Sequence, residues 1–216
     1  MPEFSAILAF VTAAVILLVI PGPAVLYIIT RSTEQGTKAG LVSVCGIQAG
    51  TVVHAVAAAF GVSAILMASA MAFALLKYAG AAYLIYLGCK KIFGKKKTEE
   101  NKTVLPPQSM KAIFWQGMVV NVLNPKCALF FFAFLPQFIN PATGNVTGQV
   151  LFFGLLFTLL AFMTDGSYAL AAGRLGKWLK GNRYYLRLEA YVSGMIYILL
   201  GLLTLMMQPS HSSHKK

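Results

Sequence analysis

The chain has 216 residues, of which 58% are hydrophobic and only 11% charged, with a mean hydropathy of +0.72. A water-soluble domain carries roughly 25% charged residues, so this composition excludes a globular protein covered by its own polar groups and points to lipid as the solvent. The net charge of +12 does not call for a nucleic-acid partner, because the basic residues gather in the loops between apolar runs, where membrane insertion alone places them.

Helices are the expected form throughout, since backbone groups in hydrocarbon must pair within their own segment, and the alternation of a lipid-facing barrel is absent. Each span needs about 20 apolar residues. The first, Phe4–Thr30, lacks the basic leader of a signal peptide and is interrupted by Pro21-Gly22-Pro23; it is expected as a retained helix. No Asp, Glu, Lys or Arg occurs from Ala39 to Leu76, which leaves room for spans at Leu41–Leu66 and Ala70–Gly88. The segment Gly94–Ser109, with Lys95-Lys96-Lys97 and Pro106-Pro107, reads as a basic linker. A fourth span, Ala112–Phe138, is interrupted at Asn124-Pro125-Lys126; a fifth, Val146–Ala172, carries Asp165; a sixth, Ala190–Met207, precedes a polar tail. The expected architecture is an all-α membrane protein of six transmembrane helices, divided into a three-helix half at 1–93, a linker at 94–109, a second three-helix half at 110–208 and a tail at 209–216.

Basic residues follow the first, third and fifth spans: Arg31 and Lys38; Lys90, Lys91, Lys95, Lys96, Lys97, Lys102 and Lys111; Arg174, Lys177, Lys180, Arg183 and Arg187. By the positive-inside rule these loops are expected in the cytoplasm, with both termini outside and anionic lipid against the inner face. Three spans per half give the halves opposite orientations. Setting Pro21-Gly22-Pro23 against Asn124-Pro125-Lys126 then aligns two helix breaks, the pattern of inverted repeats with broken first and fourth helices that marks secondary transporters.

Depth arithmetic brings the unusual residues to one level. Pro21 is ten residues from Arg31, Asn124 thirteen from Lys111 and Asp165 nine from Arg174, which at 1.5 Å per residue is roughly 13–20 Å from the basic edge. Pro21 and Pro23 lack backbone donors and Gly22 permits a sharp bend, so carbonyls one turn earlier lose their partners. Such carbonyls can accept an ammonium, and the start of the next half-helix can donate to a carboxylate. A simple proline kink would leave the same trace in the sequence. Asp165 is the only acidic residue deep inside a span, and a buried carboxyl marks function by default: it can bind an ammonium, carry a proton, or form a static pair with Lys126. Gln48, Asn121 and Asn124 offer donors and acceptors either to a solute or to neighbouring helices, and Tyr168 shares a face with Asp165. His54 reads as a proton-relay group or a packing residue, while Gly46 and Gly50 form a small-residue face for helix packing.

Pro21-Gly22-Pro23, Gly36-Thr37-Lys38-Ala39-Gly40-Leu41, Asn121-Val122-Leu123-Asn124-Pro125-Lys126 and Phe134-Leu135-Pro136-Gln137-Phe138 together resemble the lysine exporter superfamily, in its homoserine and threonine exporter branch. The resemblance implies efflux of small amino acids or derivatives from the bacterial cytoplasm across the inner membrane, driven by the proton gradient. It implies Pro21, Gly22, Pro23, Asn124, Pro125 and Lys126 as site residues, with Asp165 as the acidic member. One buried acid opposed by Lys126 favours a neutral amino acid over a basic one. Efflux of basic amino acids or another small polar metabolite, a thiol-redox carrier and a structural subunit remain as rivals. The redox reading is weakened because Cys45, Cys89 and Cys127 form no Cys-x-x-Cys pair. An enzyme is not expected: there is no Gly-rich phosphate loop, His54, His211 and His214 make no metal constellation, and no cofactor is implied. Six helices are few for a carrier, which points to a homodimer.

Overall fold

Once apolar runs cannot pair with water, their backbones close into helices, and every regular element among the described residues is helical. The computed structural model describes residues 2–68, 70–93 and 108–179, with isolated positions at 195, 198, 199, 202 and 205. Most of the linker 94–109, most of the sixth span at Ala190–Met207, and the tail 209–216 lie outside the described residues. In chain order the helices are α1 (Phe4–Val19), α2 (Pro23–Gln35), α3 (Thr37–Ala68), α4 (Ala70–Phe93), α5 (Met110–Val122), α6 (Pro125–Leu129) and α7 (Val146–Leu179). After α6 the chain continues through a π turn at Phe130–Phe134 and 3₁₀ turns at Leu135–Phe138 and Pro141–Thr143.

The breaks occur where proline removes a donor. Helices α1 and α2 meet at 51°, and α5 meets the segment Pro125–Phe138 at 48°. Segments Thr37–Gly61 and Val146–Arg174 are long and apolar enough to cross a membrane; each bent pair passes the same test when taken as one span. Large apolar side chains such as Leu155, Leu159, Phe162 and Met163 on α7 face outward, a surface suited to lipid rather than water.

Several boundaries differ from expectation. Helix α3 begins at Thr37 rather than Leu41, because Gly36 alone joins it to α2. Gly36 has φ of 84°, a left-handed conformation that glycine adopts without steric cost. Helices α4 and α7 run on to Phe93 and Leu179, since a hydropathy ruler stops at Lys90 and Arg174 although neither residue opposes helix. Arg31, counted among the loop cations, is instead 1% exposed inside the bundle.

Helix α3 is packed closely on α5. A Cβ on Gly46 would collide with the Phe114 carbonyl, and one on Gly50 would lie 2.8 Å from the Met118 oxygen. The Gly46/Gly50 face is therefore a backbone-to-backbone contact of the kind small residues permit in membranes. On one side of the break level, Phe10, Phe130, Phe131, Phe134, Phe138, Phe153 and Phe157 form an aromatic core, with Phe130 and Phe157 stacked at 4.3 Å. A smaller cluster, Ala24, Ile28, Val44, Ile47 and Ala169, packs α2, α3 and α7.

A candidate solute site at the two helix breaks

Between these apolar clusters lies a band of buried polar groups. Helix α3 supplies it from one stripe: Gln48, Thr51 and His54 are each at most 6% exposed and recur every three residues, on one side of the helix. Gln48 Nε2 donates to Asp165 Oδ2 at 2.8 Å. The carboxyl belongs to α7 and is 4% exposed, with this bond and the nearby charge of Lys126 acting on it.

Asn121, on the last turn of α5, ties three elements together. Its Nδ2 donates to the Ile47 carbonyl at 2.9 Å and to Thr51 Oγ1 at 2.8 Å, while its Oδ1 accepts from Asn124 Nδ2 at 3.2 Å. His54 Nε2 meets the Asn121 carbonyl at 3.0 Å, and its ring stacks on Phe131. Asn124 caps α6 by accepting from the Lys126 amide at 3.1 Å, with Pro125 in the first helical position, where its missing donor is harmless.

The first break is filled from the second half of the chain. Pro23 has no N–H to give the Val19 carbonyl, and that oxygen accepts instead from the Tyr168 hydroxyl at 2.6 Å. The Ile20 carbonyl accepts from Lys126 Nζ at 2.6 Å. Lys126 is 9% exposed, and its ammonium sits on a carbonyl at the end of α1.

A cavity of about 40 Å³ opens here, lined by Gly22, Thr51, Asn121, Asn124, Lys126, Cys127 and Asp165, with Leu17, Ile47 and Phe157 among its apolar walls. One water needs roughly 10–15 Å³ on this measure, so the space suits a few waters rather than a whole amino acid. Of the residues expected from the sequence, Gly22, Asn124, Lys126, Asn121 and Asp165 border this cavity. Gln48 reaches it through Asp165, whereas Tyr168 lies outside its lining, with its hydroxyl on the Val19 carbonyl. Pro21, Pro23 and Pro125 shape the backbone around it.

Helix position also corrects the alignment of the two breaks. Gly22 and Asn124 are the N-caps, and Pro23 and Pro125 the first helical residues. By helix position Pro23 matches Pro125 and Ala24 matches Lys126, one residue away from the pairing of Pro21 with Asn124.

Two parts of the arrangement escaped the sequence reading. Thr51 looked like any helical threonine, although its spacing from Gln48 and His54 places it on their face. Arg31 joins α2 to α5, donating from Nη1 to Gln35 Oε1 at 3.0 Å and from Nη2 to Gln116 Oε1 at 3.1 Å. Its guanidinium lies 5.5 Å from the Tyr27 ring centre, and the Tyr27 hydroxyl donates to the Ile113 carbonyl at 3.0 Å. Among the described residues no cluster of His, Cys, Asp and Glu forms a metal site.

Residues 15–208 match the family of LysE type translocators. The chain is 30% identical over 195 residues to a homoserine/homoserine lactone efflux protein of Salmonella typhimurium, covering 90% of this chain and 93% of the relative. It is 31% identical over 206 residues to the membrane protein YrhP of Bacillus subtilis, covering 92% and 97%. A Vibrio cholerae membrane protein is 29% identical, covering 87% and 91%. No solved structure matches the chain.

Proposed function

Because the chain belongs to the LysE family of translocators, and is thus a transporter rather than an enzyme, we propose that it exports small neutral amino acids or their derivatives, of the threonine or homoserine kind, by proton antiport. The observation that carries this reading is the convergence of Asp165, Lys126, Asn121 and Asn124 on one cavity between two broken helices. A zwitterion presents an ammonium and a carboxylate. Asp165 and the released carbonyls suit the first; the leading amides of α2, which a helix leaves without internal partners, suit the second.

In this reading Asp165 alternately holds the substrate ammonium and a proton, which couples outward movement of solute to inward movement of charge. Pro21, Gly22, Pro23, Gln48, Asn121, Asn124, Pro125, Lys126 and Tyr168 complete the substrate-binding site. The fold is six spans in two inverted three-helix repeats, 1–93 and 110–208, joined by a cytoplasmic linker at 94–109, with a polar tail at 209–216. It sits in the bacterial cytoplasmic membrane with both termini outside, against anionic lipid, as a homodimer. The homoserine/homoserine lactone efflux name of a relative agrees with this substrate class.

The test compares the intact protein with Asp165→Asn in proteoliposomes loaded with labelled amino acids, with and without an imposed proton gradient. Gradient-dependent efflux of a neutral subset, lost in a folded Asp165→Asn protein, is the expected outcome. Efflux by Asp165→Asn that still follows the gradient would remove Asp165 from the coupling step, and failure of the intact protein to move any amino acid would remove the substrate class.

A further inference from the structure

The Lys126 ammonium occupies the chemical position that a transported ammonium would need. It donates to the Ile20 carbonyl at 2.6 Å, borders the same cavity as Asp165, and acts on that carboxylate through its charge. The carbonyl belongs to the end of α1 and the lysine to α6, so one side chain ties the first helix break to the second. The cavity beside it, about 40 Å³, leaves space for a few waters. A solute entering this site must therefore displace a group already there, and the group most easily moved is a cation on a flexible four-carbon stem.

Resting on the export reading above, we propose that Lys126 is a tethered stand-in for the substrate ammonium: it holds the Ile20 carbonyl in the empty carrier, yields it to the α-ammonium of an incoming solute, and reclaims it to expel that solute on the far side. The exchange swaps one primary ammonium for another at the Ile20 carbonyl, so that oxygen keeps a cationic donor throughout. The displaced lysine remains close by, and its repulsion disfavours solutes with a second cationic group. Solutes whose nitrogen is acylated cannot make the exchange. The tie between the breaks is released only when a substrate is in place, which links occupancy to movement of the two halves.

The direction of one affinity change separates this role from a direct contact with the substrate carboxylate. Removing a competitor tightens binding, whereas removing a carboxylate ligand weakens it. In detergent-solubilised full-length protein, Lys126→Met is expected to bind L-homoserine or L-threonine more tightly than wild type by roughly threefold or more, the weight of one hydrogen bond in a membrane interior. Its net efflux from proteoliposomes is expected to fall, because nothing reclaims the carbonyl, and Lys126→Arg is expected to lie between the two. Equal or weaker binding by Lys126→Met would overturn the proposal. A second measurement uses the unaltered protein: acylation of Lys126 by a small amine reagent, read by mass spectrometry, should rise when L-homoserine or L-threonine is added. A fall in labelling, or none of either sign, would overturn it even if Lys126→Met does not fold. If wild type binds no amino acid across a full panel, the export reading fails instead, a result distinct from wild-type binding with the wrong response in the variant.

Discussion

Asn121→Leu keeps the approximate volume of the side chain while removing its hydrogen bonds. Four side-chain bonds disappear: those to the Ile47 carbonyl and Thr51 Oγ1, the one from Asn124 Nδ2, and a longer one to Cys127 Sγ at 3.8 Å. Thr51 still donates to Ile47 at 3.3 Å, so that carbonyl keeps one partner, whereas the Asn124 amide loses its acceptor inside a buried site. At about 0.6 kcal/mol for each polar contact between membrane helices, the loss is about 2 kcal/mol, or roughly a thirtyfold shift in the unfolding equilibrium. Reversible unfolding of the full chain in bicelles, compared with Asn121→Asp, measures it. The aspartate keeps acceptors for Asn124 but loses both donors and places another carboxyl in a buried site, so it should not be milder than the leucine. An Asn121→Leu protein within about 0.5 kcal/mol of wild type, well below the summed bonds, would show that this hub is incidental to the bundle and refute the reasoning.

Two further outcomes follow from the packing. Gly46→Ala, whose new methyl meets the Phe114 carbonyl, should cost about 1–3 kcal/mol through forced separation of α3 and α5; Gly61→Ala, where the nearest atom is 3.9 Å away on Phe132, should be neutral or mildly stabilising, and thermal unfolding of both variants compares them directly. Arg31→Met should lose about 1.5–3 kcal/mol for a charged hydrogen-bonding group as the bridges to Gln35 and Gln116 disappear, read in the same unfolding assay, and stability equal to wild type would show that the Arg31 bonds contribute nothing.

What the sequence revealed and what it hid divide along a physical line. Pro21-Gly22-Pro23 and Asn124-Pro125 were legible as breaks because a missing N–H acts on the residue's own helix. Asp165 was legible because a carboxyl is too costly in hydrocarbon to be casual. The partners of the released carbonyls were not legible: whether Lys126 and Tyr168 arrive at Ile20 and Val19 depends on how α6 and α7 pack, which no local pattern encodes. Arg31 was misplaced because a cation near the end of an apolar run looks like a loop residue; only Tyr27 and Gln35, one turn to either side, hint that it has neighbours to bury it. The alignment of the breaks slipped by one residue because it matched the first unusual residue of each motif rather than the caps.

Gly36 gives α2 the mechanics of a lever. It is the single residue between α2 and α3, and α2 is 13 residues long, an arm of about 20 Å. A swing of about 10° at that fulcrum moves the far end by about 3 Å, and the far end carries Gly22 into the cavity wall. The Arg31 bridge to Gln116 clamps the arm close to its pivot, and the Tyr27 hydroxyl on the Ile113 carbonyl holds it farther out. A swing at Gly36 that opens the site for a solute larger than a few waters must therefore also slide Ala24 and Ile28 past Val44, Ile47 and Ala169.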